Sequence, residues 1–135
     1  MSRALLLRGA LWTSVVLNAL GVALLAPLAL GQPSAYWPIE APPFYAAQLA
    51  YTIGLFGCVY AWLARQSVVS RPMLVVGALG KAGFFFLTLA YALVGVVPRA
   101  MALQATPDLV LACLFLWGAR PFATTPVDPP VATSV

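Results

Sequence analysis

Three polar side chains interrupt the apolar runs of this chain: Asn18, Lys81 and Asp108. Asn18 lies ten residues beyond Arg8, Lys81 nine beyond Pro72, and Asp108 ten before Gly118. If each sits on a helix, a rise of ~1.5 Å per residue sets all three ~14 to 15 Å from one boundary, in a single layer. A lysine and an aspartate at one depth in hydrocarbon are expected to pair, because an isolated charge there costs several kcal/mol. Asn18 would then add a hydrogen bond to the carboxylate or the ammonium group. Two readings of this layer are open. The pair is an inert bridge that fixes which helices are neighbours, or it is a proton or ion relay or a polar ligand site. A different placement has Asp108 at the outer interface as an ordinary first-turn carboxylate.

Other chemistry has few residues to work with. The chain contains no histidine and only three acidic residues, spread over separate regions. A histidine base, a haem histidine, the common imidazole metal sites and a paired-carboxylate motif are therefore not available. No CxxC motif is present, and the Gly77 to Gly83 pattern lies inside an apolar run rather than a phosphate loop. Cys58 and Cys113 fall six residues before Ala64 and five before Gly118, so they also share a depth. Thiols in such a setting read as small core residues, since thiolate reactivity needs an electropositive, accessible site. No catalytic residue, cofactor or metal is expected.

The elements that must carry these residues follow from composition. Of 135 residues, 63% are hydrophobic and 7% charged, with a mean hydropathy of +0.97; a soluble domain has about 25% charge. Four segments approach the ~20 residues that a membrane-crossing helix needs. They are 5–30, 44–64, 72–97 and 101–117, the last being short. The predicted fold is all-α, an integral membrane bundle of four transmembrane helices over residues 1–120. The proline-rich, polar tail 121–135 is expected to be disordered and cytoplasmic.

The seven basic residues are scattered singly, which argues against nucleic acid as a partner despite the net charge of +4. With four crossings, Arg3, Arg8, Arg65, Arg71 and Arg120 fall on one face, and Arg99 with Glu40 on the other. The positive-inside rule puts that first face, and both termini, in the cytoplasm. A cleaved secretory signal is the rival reading of the N-terminal run, which is longer than the usual ~7 to 15 residue signal core.

Within the spans, Pro27 predicts a bend near the end of the first helix. The connection GQPSAYWPIEAPP holds four prolines, with Tyr36 and Trp37 suited to headgroup level. It serves as an aromatic anchor or as a cap over an embedded site. Gly54 and Gly57 in the second helix, and Gly77, Gly80 and Gly83 in the third, are small residues of the kind that let helices approach closely. Glycine beside Phe84 to Phe86 also leaves room for an apolar ligand. The fourth span reads as a helix starting at Thr106 as cap, Pro107 and Asp108. Ending near Gly118, it would be only ~18 Å long. Either residues 101–105 form an earlier piece kinked at Pro107, or the bundle is locally thin.

The hydropathy plan of residues 5–118, the GALGKAGFF stretch and the PDLVLACLFLW stretch resemble the DoxX-like group of small four-helix bacterial membrane proteins. That resemblance implies a multi-pass protein of the bacterial cytoplasmic (inner) membrane. Roles in the group vary, and some members resemble accessory subunits of membrane oxidoreductases. Small multidrug transporters share the size and the four spans. They carry an essential glutamate in the first helix, where this chain has no acid.

The expectation is a non-catalytic accessory or structural component, in contact with membrane lipids and with another membrane protein or itself as a homo-oligomer. One alternative is a small homodimeric transporter or proton-coupled channel using Lys81 and Asp108. Another is quinone or lipid binding between Phe84 to Phe86 and the glycine face.

Overall fold

The computed structural model describes residues 3–34 and 41–120, which form five helices. They are α1 (Arg3–Ala29), α2 (Pro43–Arg65), α3 (Arg71–Leu93), α4 (Arg99–Gln104) and α5 (Thr106–Ala119). Tyr36, Trp37, Glu40 and the tail 121–135 lie outside the described residues. Helices α4 and α5 together make one span, Arg99–Ala119, so four helices are long and apolar enough to cross a membrane. In each, only 22% of the most apolar window is buried inside the protein. Large apolar side chains, among them Val16, Leu20, Tyr51, Leu55, Leu79 and Leu87, are exposed on the outside of the bundle, as a lipid-solvated bundle requires.

Helix ends follow local chemistry. Gly31 (φ 72°) and Gly95 (φ 79°) take the left-handed conformation that closes a helix. After α1, Gln32 N–H bonds Pro27 O at 2.8 Å and Gly31 N–H bonds Leu28 O at 3.0 Å; after α3, Val96 N–H bonds Tyr91 O at 3.0 Å. These are Schellman closures, and they satisfy the last carbonyls. The second one stops α3 at Leu93, four residues short of the apolar run that continues to Val97. Helices α2 and α3 instead carry Pro43 and Pro72 in their first turns, at the first and second positions, where a missing N–H is harmless.

Two helical hairpins make up the bundle. The most extensive packing is α1 against α2 and α3 against α5, with α1 against α5 joining the pairs. All four spans contribute to one core, in which Leu11, Leu63, Leu74 and Phe115 are essentially inaccessible. A smaller cluster, Leu25, Leu28 and Ala46, involves α1 and α2 alone. The hairpins are thus joined chiefly at one end.

That end is the basic one. Arg3 donates to the carbonyl oxygens of Trp117 and, at 3.3 Å, Arg120, and its guanidinium lies 4.7 Å over the Trp117 ring. Arg8 donates to Gln66 O at 3.2 Å, and the Arg65 guanidinium lies 5.8 Å from the Trp12 ring. These contacts bring the start of α1, the α2–α3 connection and the end of α5 together. Arg3 also places positive charge on the carbonyl end of α5, where the helix dipole favours it. At the same end Leu7 seats against Gly118, where an added Cβ would stand 2.7 Å from Leu7 Cδ1.

Candidate functional site

Lys81 lies midway along α3 and Asp108 in the first turn of α5. Their Nζ and Oδ1 atoms are 2.5 Å apart, with the lysine 5% and the aspartate 22% exposed. Asp108 is the tenth of the 21 residues in its span, because α4 precedes α5 and extends it outward. The fourth span is therefore of full length but broken, the two-piece alternative rather than a thin bundle.

The break has a local cause. Pro107 lacks the amide that would continue α4 into α5. Asp108 N–H instead bonds Ala105 O at 3.0 Å. Thr106 is not the cap that its type and position predict. Ala105 holds that position in helical conformation, and Thr106 Oγ1 donates back to Ala102 O at 3.4 Å. A threonine hydroxyl with a carbonyl one turn upstream prefers that bond when helix continues on its N-terminal side. The consequence is a carboxylate at the amide end of a half-helix, near mid-span, aimed at an ammonium group.

Tyr60 of α2 completes the surroundings. Its ring centroid is 5.3 Å from Lys81 Nζ, its hydroxyl donates to Gly77 O at 3.4 Å, and Phe115 packs on it at 5.5 Å. Gly77 makes this possible, since a Cβ there would stand 2.9 Å from Tyr60 Cε1 and 3.4 Å from the Phe115 ring. The ammonium group thus has a carboxylate in contact and an aromatic face nearby, both favourable to a cation in a low-dielectric setting. No buried side-chain nitrogen or oxygen among the described residues lacks a hydrogen-bond partner. The pair links α3 to α5.

Asn18 is not part of it. Its Nδ2 donates to Ile53 O of α2 at 2.8 Å, and Gly57 lies beneath it, a Cβ there falling 3.3 Å from Asn18 Cβ. The expected three-member layer separates into an α3–α5 ion pair and an α1–α2 hydrogen bond, because equal depth along a helix says nothing about rotation around it. Gly54 likewise faces α1, with Val22 Cγ2 3.5 Å from where a Cβ would stand.

The third-helix glycines divide. Gly77 is interior, whereas Gly80 has only Phe56 at 3.9 Å and Gly83 has open space where a side chain would go. Phe84 and Phe86 are also exposed on the outer surface. The cysteines depart from expectation too: Cys58 and Cys113 are exposed free thiols on the outside of the bundle, not core residues. Being small and apolar, a thiol is equally at ease against lipid. Sequence reasoning passed over Tyr60 and Gly118. The only hint for Gly118 was a small residue between Trp117 and Arg120, and Tyr60 carried no distinguishing signal.

Fold and site together define a small polytopic α-helical membrane protein with a Lys–Asp pair near the middle of two of its four candidate spans. No protein-family model, no curated protein and no solved structure matches the chain.

Proposed function

We propose that this protein is a non-catalytic accessory or structural component of a membrane complex, docking another membrane protein or a second copy of itself along the outer face of α3. The observation that carries the reading is that Gly80 and Gly83 lie exposed on that face, with open space at Gly83. Glycines on a lipid-facing surface forgo packing, but they let a neighbouring helix come close. The self-contained Lys81–Asp108 pair fits a role in holding the bundle's shape. In this reading the basic end is cytoplasmic, by the positive-inside rule, and the membrane is the bacterial inner membrane, as the DoxX-like resemblance implies.

Native mass spectrometry of protein extracted gently from its own membrane tests the proposal. A complex, hetero- or homo-oligomeric, that Gly83→Leu dissociates supports it. A monomer in both the parent and the variant removes it.

A second reading is favoured by the helix break beside Asp108. Broken helices at mid-membrane often line ion and substrate sites, so a homodimer conducting protons or ions through this region is the rival. Asp108→Asn would then abolish flux in liposomes while leaving the protein folded, and equal flux in variant and parent would exclude it.

A further inference from the structure

Among the described residues, two exposed carboxamides lie inside candidate spans, Gln48 of α2 and Gln104 of α4. Gln48 is two residues beyond Ala46, which α2 buries beside Leu25 and Leu28 of α1. Two residues are ~200° of helical rotation, so Gln48 points away from the bundle. It lies five residues inside the start of α2, ~7 to 8 Å along the helix. Thr52, one turn on, donates to the main-chain oxygen of Gln48 at 2.9 Å, and the side-chain amide has no partner among the described residues. An amide carries two donors and an acceptor, and hydrocarbon offers nothing to satisfy them.

The same face continues along the whole helix. Phe44, Gln48, Tyr51, Leu55, Cys58 and Trp62 follow at alternating steps of four and three residues, and all are exposed. A second helix can run along such a seam with a left-handed crossing. Every outward helix face has this spacing; the amide distinguishes this one, together with the absence of any lysine, arginine or carboxylate on it. Helix α2 is also unbroken over its 23 residues, whereas Gln104 stands on the six-residue helix that ends before Pro107.

The chemistry of the amide selects the occupant. Copies inserted in one orientation meet through like faces about a two-fold axis along the membrane normal, which sets each residue opposite itself. A charged side chain there would repel its own copy. A carboxamide is self-complementary: facing another, it exchanges two N–H···O bonds and satisfies both groups. We propose that the outer face of α2 is the contact face of a homodimer, with Gln48 of each copy hydrogen-bonded to Gln48 of the other. The face is on α2, so the inference goes beyond docking on α3 and stands or falls apart from it.

The test places the full chain in vesicles of phosphatidylethanolamine and phosphatidylglycerol, with Cys58 and Cys113 replaced by alanine and copper phenanthroline as oxidant. Leu55→Cys should form a disulfide-linked dimer, and Val110→Cys, similarly exposed on α5, should not. Energy transfer between donor- and acceptor-labelled copies, diluted with lipid, gives the dissociation constant of the dimer. Gln48→Leu should raise that constant about tenfold, whereas Gln104→Leu and Gly83→Leu should leave it unchanged. Thermal melting confirms that each variant is folded. Cross-linking at residue 55 no greater than at residue 110 overturns the proposal. So does a Gln48→Leu dimer as tight as the parent's, or equal weakening by Gln104→Leu or Gly83→Leu.

Discussion

The ring of Tyr60 occupies the space that a side chain on residue 77 would need, its Cε1 atom lying 2.9 Å from where the Cβ would stand. This contact, rather than backbone freedom, is what requires glycine there. Because Tyr60 and Phe115 both lean on it, one missing methyl group organises three helices.

Gly77→Leu is accordingly expected to destabilise the fold by about 1–3 kcal/mol, the range for overpacking a close contact. Gly83→Leu, with open space around it, should change the monomer's stability by no more than ~0.5 kcal/mol. Reversible unfolding in detergent measures both. Equal effects at the two positions would contradict the division of the third-helix glycines.

Breaking the buried pair should be costly, and removing it whole should not. Lys81→Met alone leaves Asp108 without its cation and is expected to cost about 3–5 kcal/mol, while Lys81→Met with Asp108→Leu recovers most of that. A double-mutant cycle gives the coupling. Additive losses would mean the two residues do not interact.

Leu7 and Gly118 offer a size-exchange experiment. Gly118→Leu should lower the melting temperature by driving into Leu7, and Leu7→Gly in the same chain should restore part of it. A double variant no more stable than Gly118→Leu alone would show that the clamp between α1 and α5 is not formed.

Topology can be read with impermeant thiol reagents on a chain in which Cys58 and Cys113 are replaced by alanine. Ser67→Cys, in the connection at the basic end, should be labelled from the cytoplasmic side only, and Val96→Cys, at the opposite end, from the other side only. The reverse pattern would invert the proposed orientation.

The four spans were legible because hydropathy and length are properties of a segment by itself. Rotation was not. A helix turns ~100° per residue, so each step of three falls ~60° short of a full turn. Gly83 therefore lies ~120° around α3 from Gly77, and a repeat that looks like one stripe in the sequence starts inside the bundle and finishes outside it. Asn18 failed for the same reason, since counting gave depth without azimuth. Lys81 and Asp108 came out as partners because a charge in hydrocarbon leaves few other choices. The end of α3 was misjudged because Gly95, in left-handed conformation, closes the helix inside a run whose hydropathy continues.

The Lys81–Asp108 pair also bears on how the chain is made. Both residues belong to the second hairpin, 27 positions apart, so the ribosome completes the lysine-bearing helix before its counter-ion exists. A lone lysine at the centre of a helix opposes insertion by ~2.5 to 3.5 kcal/mol. The third span therefore has reason to wait at the translocon for the fourth and to enter lipid with it as an already neutralised unit, whereas the helices of the first hairpin, with no charged residue between Arg8 and Ala29 or between Pro43 and Ala64, are free to partition as each emerges.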